Sequence, residues 1–327
     1  MAVSTHPKAQ LTRGYAIALI SAAILSTTAI FIRYLTQVFN MPALVLAFWR
    51  DGFVALTVFL GLSLLRSVLL RLPRHNMPYL VGYGAVLAVF NSFWTLSVAL
   101  NGAALSTVLA YSSAGFTALL GWWLLKERLD WVKLLAVATS LTGCAFVSGA
   151  ITPAAWQTNL LGILTGIGSG LLYAIYSLLG RSAAQRGINP WTTLFYTFAF
   201  ATVFLFIFNL LPWGVLPGSA RQPAELLWLG KSALGWGMLI LLAAGPTLTG
   251  FGLYNTSLTY LSSSVANLIL TLEPAFTAVI AYFAFGEVLN GMQIGGSLLI
   301  LSGVVFLRVH EGRLERHTRR AFGPVVS

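Results

Sequence analysis

Three charged side chains lie near the middle of long apolar stretches of the sequence, where their types could support chemistry. They are Arg50, Asp51 and Glu273. A charged group near the centre of a lipid bilayer costs on the order of a few kcal/mol, so it normally faces a protein interior or a water-filled cavity and has a partner. Each of these residues therefore has a structural and a functional interpretation.

Arg50 and Asp51 are neighbours in the sequence, and on a helix their side chains point about 100° apart. They could form a structural ion pair that clamps two helices together. Alternatively, the guanidinium group of Arg50 could bind the carboxylate of a substrate. We assign the pair a gating or structural role and leave the second interpretation open.

Glu273 directly precedes Pro274, which lacks a backbone N–H and opens the helical turn before it. The carboxyl group could carry a proton or bind substrate, or it could hydrogen-bond the carbonyl groups that the proline frees. Gly245 and Pro246 interrupt another apolar stretch near its centre. Such interruptions occur where backbone lines a cavity or bends, so this stretch is the predicted moving part.

A set of aromatic, amide and hydroxyl side chains in mid-stretch positions could line a pocket. Its members, with Glu273, are Asn91, Trp94, Tyr111, Ser112, Ser113, Tyr254, Asn255 and Asn267. Asn91 lies three residues before Trp94 and hence on the same helix face. Flat aromatic walls with several hydrogen-bonding groups suit an aromatic solute or an amphipathic zwitterion. Taken singly, each aromatic residue could instead pack in the ordinary way or sit at the membrane interface.

The elements that must position these residues are predicted to be membrane-spanning helices. Hydrophobic residues make up 57% of the chain and charged residues only 8%, whereas soluble domains carry about a quarter charged residues. About twenty apolar residues span the hydrocarbon core. Stretches of that length occur at residues 14–35, 42–65, 78–100, 102–125, 131–150, 160–180, 190–211, 234–260, 262–285 and 291–307. The prediction is an all-α integral membrane protein with ten transmembrane helices.

The basic residues lie mostly in alternate breaks between these stretches. Fifteen fall on one side of the membrane, three on the other and Arg50 within a stretch, which accounts for all 19 Lys and Arg residues. By the positive-inside rule, both termini are cytoplasmic. The net charge of +11 therefore reflects topology near anionic lipid rather than a nucleic-acid site.

The chain contains an internal repeat of five predicted helices. The third to fifth stretches realign with the eighth to tenth 160 positions later, so that Glu127 falls on Glu287; the first two realign with the sixth and seventh 148 positions later, so that Arg33 falls on Arg181. Because five is odd, the second copy must cross the membrane in the opposite sense. The predicted units are an N-terminal repeat at 1–150, an inverted C-terminal repeat at 151–310 and a basic cytoplasmic tail at 311–327.

Three segments carry a resemblance to a known superfamily. They are PALVLAFWRDGFVAL around Arg50, VANLILTLEPAFTAVIAYFAFGE with Glu273, Pro274 and Glu287, and the late glycines Gly295, Gly296 and Gly303. The chain resembles the ten-helix EamA-type members of the drug/metabolite transporter superfamily, and most of all the YddG-type exporters of aromatic and neutral amino acids. That resemblance implies an alternating-access secondary transporter in the bacterial inner membrane that exports small metabolites, with aromatic and neutral amino acids as the expected solutes.

Other functions stay open at this point. The solute could be a drug or a nucleotide sugar, and a channel or facilitator is an alternative to a transporter. The sequence contains no catalytic pair, phosphate-binding loop or metal-ligand cluster, so neither an enzyme nor a cofactor is expected. The expected partners are an amino-acid-like small molecule and membrane lipid, with no nucleic acid and no obligate protein partner.

Overall fold

The computed structural model describes residues 7–147, 149–151, 159–211, 215–285 and 290–322, and within these ranges the chain is helical and contains no strand. The α-helices are α1 (Pro7–Leu25), α2 (Thr28–Val38), α3 (Ala43–Leu65), α4 (Met77–Tyr111), α5 (Ser113–Leu125), α6 (Trp131–Val147), α7 (Leu160–Gln185), α8 (Pro190–Leu210), α9 (Ala233–Leu242), α10 (Leu248–Ser257), α11 (Ser263–Leu270), α12 (Glu273–Phe285) and α13 (Gly291–Phe322). Short 3-10 helices occur at Ser67–Leu70, Arg74–Asn76 and Pro223–Leu227.

Eight segments of the described chain are long and apolar enough to cross a membrane. They are Gln10–Val38, Ala43–Leu65, Arg74–Gly102, Leu105–Leu125, Leu160–Gln185, Pro190–Leu210, Ala233–Ser257 and Gly291–His310. The helix Trp131–Val147 is apolar but shorter. Large apolar side chains on the outside of the bundle, such as Leu64 and Leu298, are exposed, as expected of surfaces that face lipid.

The predicted ninth stretch, 262–285, is not one helix. α11 ends at Leu270 and α12 begins at Glu273, so Glu273 starts a helix instead of lying midway along one. Pro274 occupies the second position of α12, where a missing N–H breaks no intrahelical hydrogen bond. A similar break separates α4 from α5 at Ser112, the repeat equivalent of Leu272. The break therefore occurs in both halves, although only one carries the Glu-Pro pair.

Three other interruptions depart from the predicted series of uninterrupted helices. The first stretch is divided between α1 and α2. α4 contains a kink at Gly102, whose φ of 77° and ψ of 166° lie in a region that glycine adopts without a steric cost. The third stretch forms α4 before this kink, and the fourth is divided between the end of α4 and α5. Gly245 and Pro246 lie in a π-helical turn, Ala243–Thr247, which joins α9 to α10. The proline cannot donate a hydrogen bond there, and the wider turn accommodates it.

Short polar side chains fix the starts of several helices. Asp130 Oδ1 accepts a hydrogen bond from the backbone N–H of Lys133 at 2.8 Å, before α6, and Asn290 Oδ1 accepts one from Gln293 at 2.9 Å, before α13. Asp130 and Asn290 are equivalent positions of the two repeats, 160 residues apart. The two halves therefore begin their last helix with the same N-cap.

Close helix contacts at small residues set the packing of the bundle. α4 packs along α7, α6 along α13, and α3 along α8. A Cβ atom added to Gly143 would lie 2.6 Å from the carbonyl oxygen of Gly296, so the backbones of α6 and α13 touch at this pair. Interfaces of this kind are typical of helices that associate in lipid.

Candidate functional site

A cavity of about 70 Å³ lies among α1–α4, α7, α10 and α12, at the level of the breaks before Thr28 and Glu273. Its polar lining consists of Ser26, Thr28, Arg50, Asn91, Thr107, Glu273 and Thr277, and its aromatic lining of Phe90, Trp94, Tyr111, Tyr173 and Phe251. Leu25, Ala29 and Ala110 complete it. Because the helices are interrupted here, side chains from several of them converge on one space.

Arg50 is almost fully buried, with 2% of its surface exposed, and lines this cavity. Its Nε atom lies 3.2 Å from Asp51 Oδ1, and Asp51 Oδ2 accepts a hydrogen bond from Asn91 Nδ2 at 2.5 Å. Both carboxylate oxygens of Asp51 are thus engaged. Arg50 Nη2 has no hydrogen-bond partner among the described residues. Asp51 holds Nε of the guanidinium group, whereas Nη2 is buried without an acceptor, a position at which an anion would supply a charge-assisted hydrogen bond.

The aromatic side chains form one wall of the cavity. The rings of Phe90 and Tyr173 stack with centroids 4.9 Å apart and planes 10° apart. Tyr173 also contacts the ring of Phe251, at 6.4 Å, and that of Tyr254, at 5.7 Å. Tyr254 does not line the cavity, so Tyr173 separates the cavity from the residues behind it.

Two hydroxyl groups lie near the acidic side of the cavity. The hydroxyl group of Tyr111 is beside the carboxyl group of Glu273, which is half-buried. Thr28 Oγ1 has no hydrogen-bond partner within the part of the chain that the structure describes. The cavity therefore offers a cation, an acid and at least one unengaged hydroxyl group to a bound solute.

A second polar group, which we call the buried network, lies beyond Tyr173. Ser113 Oγ donates to Asn267 Oδ1 at 2.9 Å, and Asn267 Nδ2 donates to Ser177 Oγ at 3.1 Å. The hydroxyl group of Tyr254 also donates to Ser177 Oγ, at 2.6 Å. Nearby, Asn255 Nδ2 donates to the hydroxyl oxygen of Tyr176 at 3.1 Å. All six side chains are buried.

The predicted pocket residues are thus divided between two places. Asn91, Trp94, Tyr111 and Glu273 line the cavity, together with Arg50. Ser113, Tyr254, Asn255 and Asn267 belong to the buried network. Ser112 belongs to neither, since its hydroxyl group donates to the carbonyl oxygen of Leu109 and the side chain packs against Gly170.

The cavity and the buried network occupy equivalent positions of the two repeats. Trp94 corresponds to Tyr254, Glu273 to Ser113, Thr107 to Asn267, and Thr28 and Ala29 to Tyr176 and Ser177. The first of each pair lines the cavity and the second lies in the network. Other positions depart from this pattern: the equivalent of Asn255, Thr95, is not in the cavity lining, and both members of the pairs Asn91 and Phe251, and Leu25 and Tyr173, line the cavity.

Beyond the network, hydrogen bonds hold residues 258–264, which link α10 to the first turn of α11, in place. Glu127 Oε1 accepts hydrogen bonds from the backbone N–H and the hydroxyl group of Ser263, at 2.8 and 2.6 Å. Glu127 Oε2 accepts from the hydroxyl group of Ser264 and from its N–H, the latter at 3.3 Å. Arg181 Nη1 donates to the carbonyl oxygen of Leu258 at 2.7 Å. This end of the bundle is closed by a carboxylate at a helix N-terminus.

At the opposite end of the bundle, the described residues form no equivalent of these hydrogen bonds. Arg33, the equivalent of Arg181, is exposed and donates only to Gln37 of its own helix, at 3.1 Å. Ala103 and Ala104 stand where Ser263 and Ser264 stand in the other repeat. Glu287, the equivalent of Glu127, lies outside the described residues.

Some cavity residues were missed from the sequence. Phe251 is the repeat equivalent of Asn91, and Tyr173 that of Leu25, so the offsets of 160 and 148 would have located both. Phe90 and Thr28 carry no such signal, because an isolated Phe or Thr in an apolar stretch resembles ordinary packing.

Comparisons with known proteins agree on the kind of molecule. The profile of the EamA-like transporter family matches residues 12–149 and again residues 160–309. A solved structure described only as "Crystal structure of protein" has the same fold, with a TM-score of 0.71 over 93% of this chain and 99% of that one at 16% identity.

Curated relatives are also similar to this chain. An uncharacterized transporter of Archaeoglobus fulgidus is 31% identical over 56% of this chain, and the uncharacterized transporter sll1319 of Synechocystis is 30% identical over 69% of it. The matches span 58% and 65% of those two relatives, less than two thirds of each. A "Probable amino-acid metabolite efflux pump" of Escherichia coli is 25% identical over 81% of this chain and 85% of its own length.

Proposed function

Because the chain belongs to the EamA-like transporter family, we propose that it is a secondary transporter that exports small amino-acid-like metabolites by alternating access. It is a multi-pass membrane protein of a transporter family, not an enzyme by family or by the names of its relatives. The mechanism, the solute and the direction are the parts that we propose.

The pairing of the cavity with the buried network is the observation that carries this proposal. Several pairs of equivalent positions place one member in the cavity and the other in the sealed, hydrogen-bonded network, and residues of both halves contribute to each. In transporters built from inverted repeats, the two halves exchange conformations, so that the open side closes as the closed side opens. Trp94 and Tyr254 would then exchange roles during each cycle.

The proposed topology has ten membrane crossings. The eight long apolar segments are joined by α6 and by the broken pair α11 and α12. With both termini cytoplasmic, the closed end that carries Glu127 and Arg181 faces the cytoplasm of a bacterial cell, and the cavity faces away from it. The conformation described above is then the outward-facing one.

The solute class follows from the lining of the cavity and from the relatives. Stacked aromatic rings suit an apolar or aromatic side chain, and a cation with an acid suits a zwitterion. Two relatives, from Escherichia coli and Salmonella typhimurium, are called probable amino-acid metabolite efflux pumps. A channel is the weaker alternative, because the buried network blocks a continuous polar path behind Tyr173.

Counterflow by purified protein in liposomes tests this function. Labelled neutral amino acids should exchange faster when unlabelled amino acid is present on the opposite side, whereas sugars and common drugs should not accelerate them. Flux that neither saturates nor responds to solute on the opposite side would instead indicate a channel.

A cysteine pair tests the conformational cycle. We expect Ser113→Cys with Asn267→Cys, in a Cys144→Ala background, to stop exchange when oxidised and to recover it on reduction, since these residues touch only in the closed network. Each single cysteine variant is the control. Full exchange in the oxidised pair would exclude the proposed movement.

A further inference from the structure

We propose that Arg50 binds the carboxylate of the transported solute and that Glu273 receives its amino group, so that the cavity selects α-amino monocarboxylic acids over their esters and deaminated analogues. This inference rests on the proposed function and names the chemistry of the same cavity. Its central observation is that Nη2 of the buried Arg50 guanidinium group has no hydrogen-bond partner among the described residues.

The burial of Arg50 makes the missing partner of Nη2 energetically significant. The side chain is 2% exposed, yet Nη2 has no hydrogen-bond partner among the described residues and the residue lines the cavity. A buried donor without a partner is costly, and the cost is removed when an acceptor enters. A carboxylate fits best, because a guanidinium group can bind both carboxylate oxygens through parallel N–H bonds.

Asp51 and Asn91 act as positioning residues for the guanidinium group of Arg50. Asp51 Oδ1 holds Arg50 Nε, and its other oxygen is occupied by Asn91 Nδ2. With both oxygens engaged, Asp51 cannot turn to cover Nη2. A carboxylate that accepts a hydrogen bond from Nη2 must therefore come from the solute or from another lining residue.

Glu273 is the sole acid among the described residues that line the cavity, as Arg50 is the sole cation there. It starts α12, whereas Arg50 lies on α3, so the two charges are presented from different halves of the chain. Tyr111 lies beside the Glu273 carboxyl group and provides a neighbouring polar group. A zwitterion held between them leaves its side chain against Phe90, Trp94 and Tyr173.

The carboxylate anchor is present in only one repeat. The equivalents of Arg50 and Asp51 are Phe198 and Ala199, and the ring of Phe198 is fully buried 5.5 Å from that of Phe251. The solute would thus keep one orientation relative to α3 in both conformations.

Competition in the counterflow assay tests the inference. Labelled phenylalanine would be competed by phenylalanine, by its methyl ester, which lacks the carboxylate, and by 3-phenylpropionate, which lacks the amino group. In the native protein each analogue should compete about tenfold or more weakly than phenylalanine, the effect of losing one charge-assisted contact.

The decisive variant is Arg50→Met with Asp51→Asn, which removes both charges and leaves neither unpaired. Phenylalanine should then compete no better than its methyl ester, while the ester competes as it does in the native protein. Glu273→Gln should remove the preference for phenylalanine over 3-phenylpropionate. Arg33→Gln, which removes an exposed arginine, should leave every ratio unchanged.

The outcomes separate the two proposals. A double variant that still prefers phenylalanine over the ester would overturn the role of Arg50, although amino-acid transport would stand. Native protein that exchanges only sugars or drugs would overturn the proposed function itself. If the double variant fails to fold, Arg50→Lys decides the question, because it keeps the charge beside Asp51 but loses the two-pronged contact: it should weaken phenylalanine and not the ester, and an unchanged ratio would contradict the inference.

Discussion

The cavity and the buried network share several equivalent positions of the two repeats, yet they differ in what their polar groups contact. In the network, Ser113, Asn267 and Ser177 hydrogen-bond one another. In the cavity, Arg50 Nη2 and Thr28 Oγ1 lack partners among the described residues. We infer that closure in this fold brings such polar groups into contact with one another and that opening exposes them to a solute.

The two ends of the bundle extend the comparison. At the closed end, Glu127 accepts hydrogen bonds from two backbone N–H groups and from the hydroxyl groups of Ser263 and Ser264. In the other repeat the corresponding residues are Ala103 and Ala104, which have no hydroxyl groups. An equivalent closure there would have only backbone donors. We therefore expect the closure at Glu127 to be the more stable of the two.

The largest expected effect is on the stability of the network. Asn267→Leu keeps a similar volume but leaves the hydroxyl groups of Ser113 and Ser177 without their partner, and should lower the free energy of unfolding by about 2–4 kcal/mol. The measurement is the thermal midpoint of the protein in detergent. Thr28→Val, at a cavity position whose hydroxyl group has no partner among the described residues, should lower the midpoint much less. Equal losses in the two variants would mean that the network is no more tightly bonded than the cavity.

Removing Glu127 should open the closed end. Glu127→Ala removes an acceptor for both backbone and side-chain groups, which we expect to shift the conformational equilibrium by about 2 kcal/mol, or roughly 30-fold. Leu261 is buried in the segment that Glu127 holds. The maleimide labelling rate of Leu261→Cys, in a Cys144→Ala background, measures the change.

The matched control is Lys126→Asn, which neutralises an adjacent exposed residue whose φ of 53° asparagine tolerates. It should not change the labelling rate. Labelling of Leu261→Cys that is equally slow with and without Glu127 would show that the carboxylate does not hold this end closed.

A smaller effect is expected at the aromatic wall. Trp94→Ala should weaken transport of aromatic solutes relative to small aliphatic ones by about 0.5–1.5 kcal/mol, or roughly 2- to 13-fold in kcat/KM. Tyr254→Ala, at the equivalent network position, should slow both classes alike, because Tyr254 does not line the cavity in this conformation. Trp123→Ala removes an exposed tryptophan and serves as the control. A matching loss of selectivity in the Tyr254 variant would remove the distinction between the two regions.

The sequence predicted the helical membrane architecture because apolar length is a strong physical signal, and it predicted the repeat because Glu127 and Arg33 have matching equivalents. It could not place Ser113 and Tyr254 away from Trp94, since equivalent positions look the same in a sequence whichever half is closed. The break before Glu273 was assigned to Pro274, but Ser112 marks the same break without a proline. The unpaired Nη2 of Arg50 could not be predicted, because sequence spacing does not fix which guanidinium nitrogen contacts Asp51.

The smallest expected effect separates the two N-caps, which are equivalent in position but not in charge. Asp130 and Asn290 each accept a backbone N–H, so Asp130→Ala and Asn290→Ala should each cost about 1 kcal/mol of stability. Asp130 Oδ2 also lies 3.0 Å from His310 Nε2, a contact between the α5–α6 loop and α13. Partial burial alone would raise the pKa of Asp130, but the Lys133 N–H and the His310 side chain outweigh it and hold that pKa below its ordinary value.

A carboxyl group whose pKa is lower in the folded state than in the unfolded chain stabilises the fold above its unfolded pKa of about 4, and loses that contribution as the pH falls through its folded pKa. Asp130→Asn keeps the cap and removes the charge, so its thermal midpoint should lie slightly below that of the native protein near pH 6 and approach it below about pH 4. Asn290→Ala should show a deficit that does not depend on pH across this range, because an amide does not titrate. A pH-independent difference between Asp130→Asn and the native protein would mean that the ionised carboxylate adds nothing beyond the cap, and that the contact between Asp130 and His310 does not help to hold α13 against the α5–α6 loop.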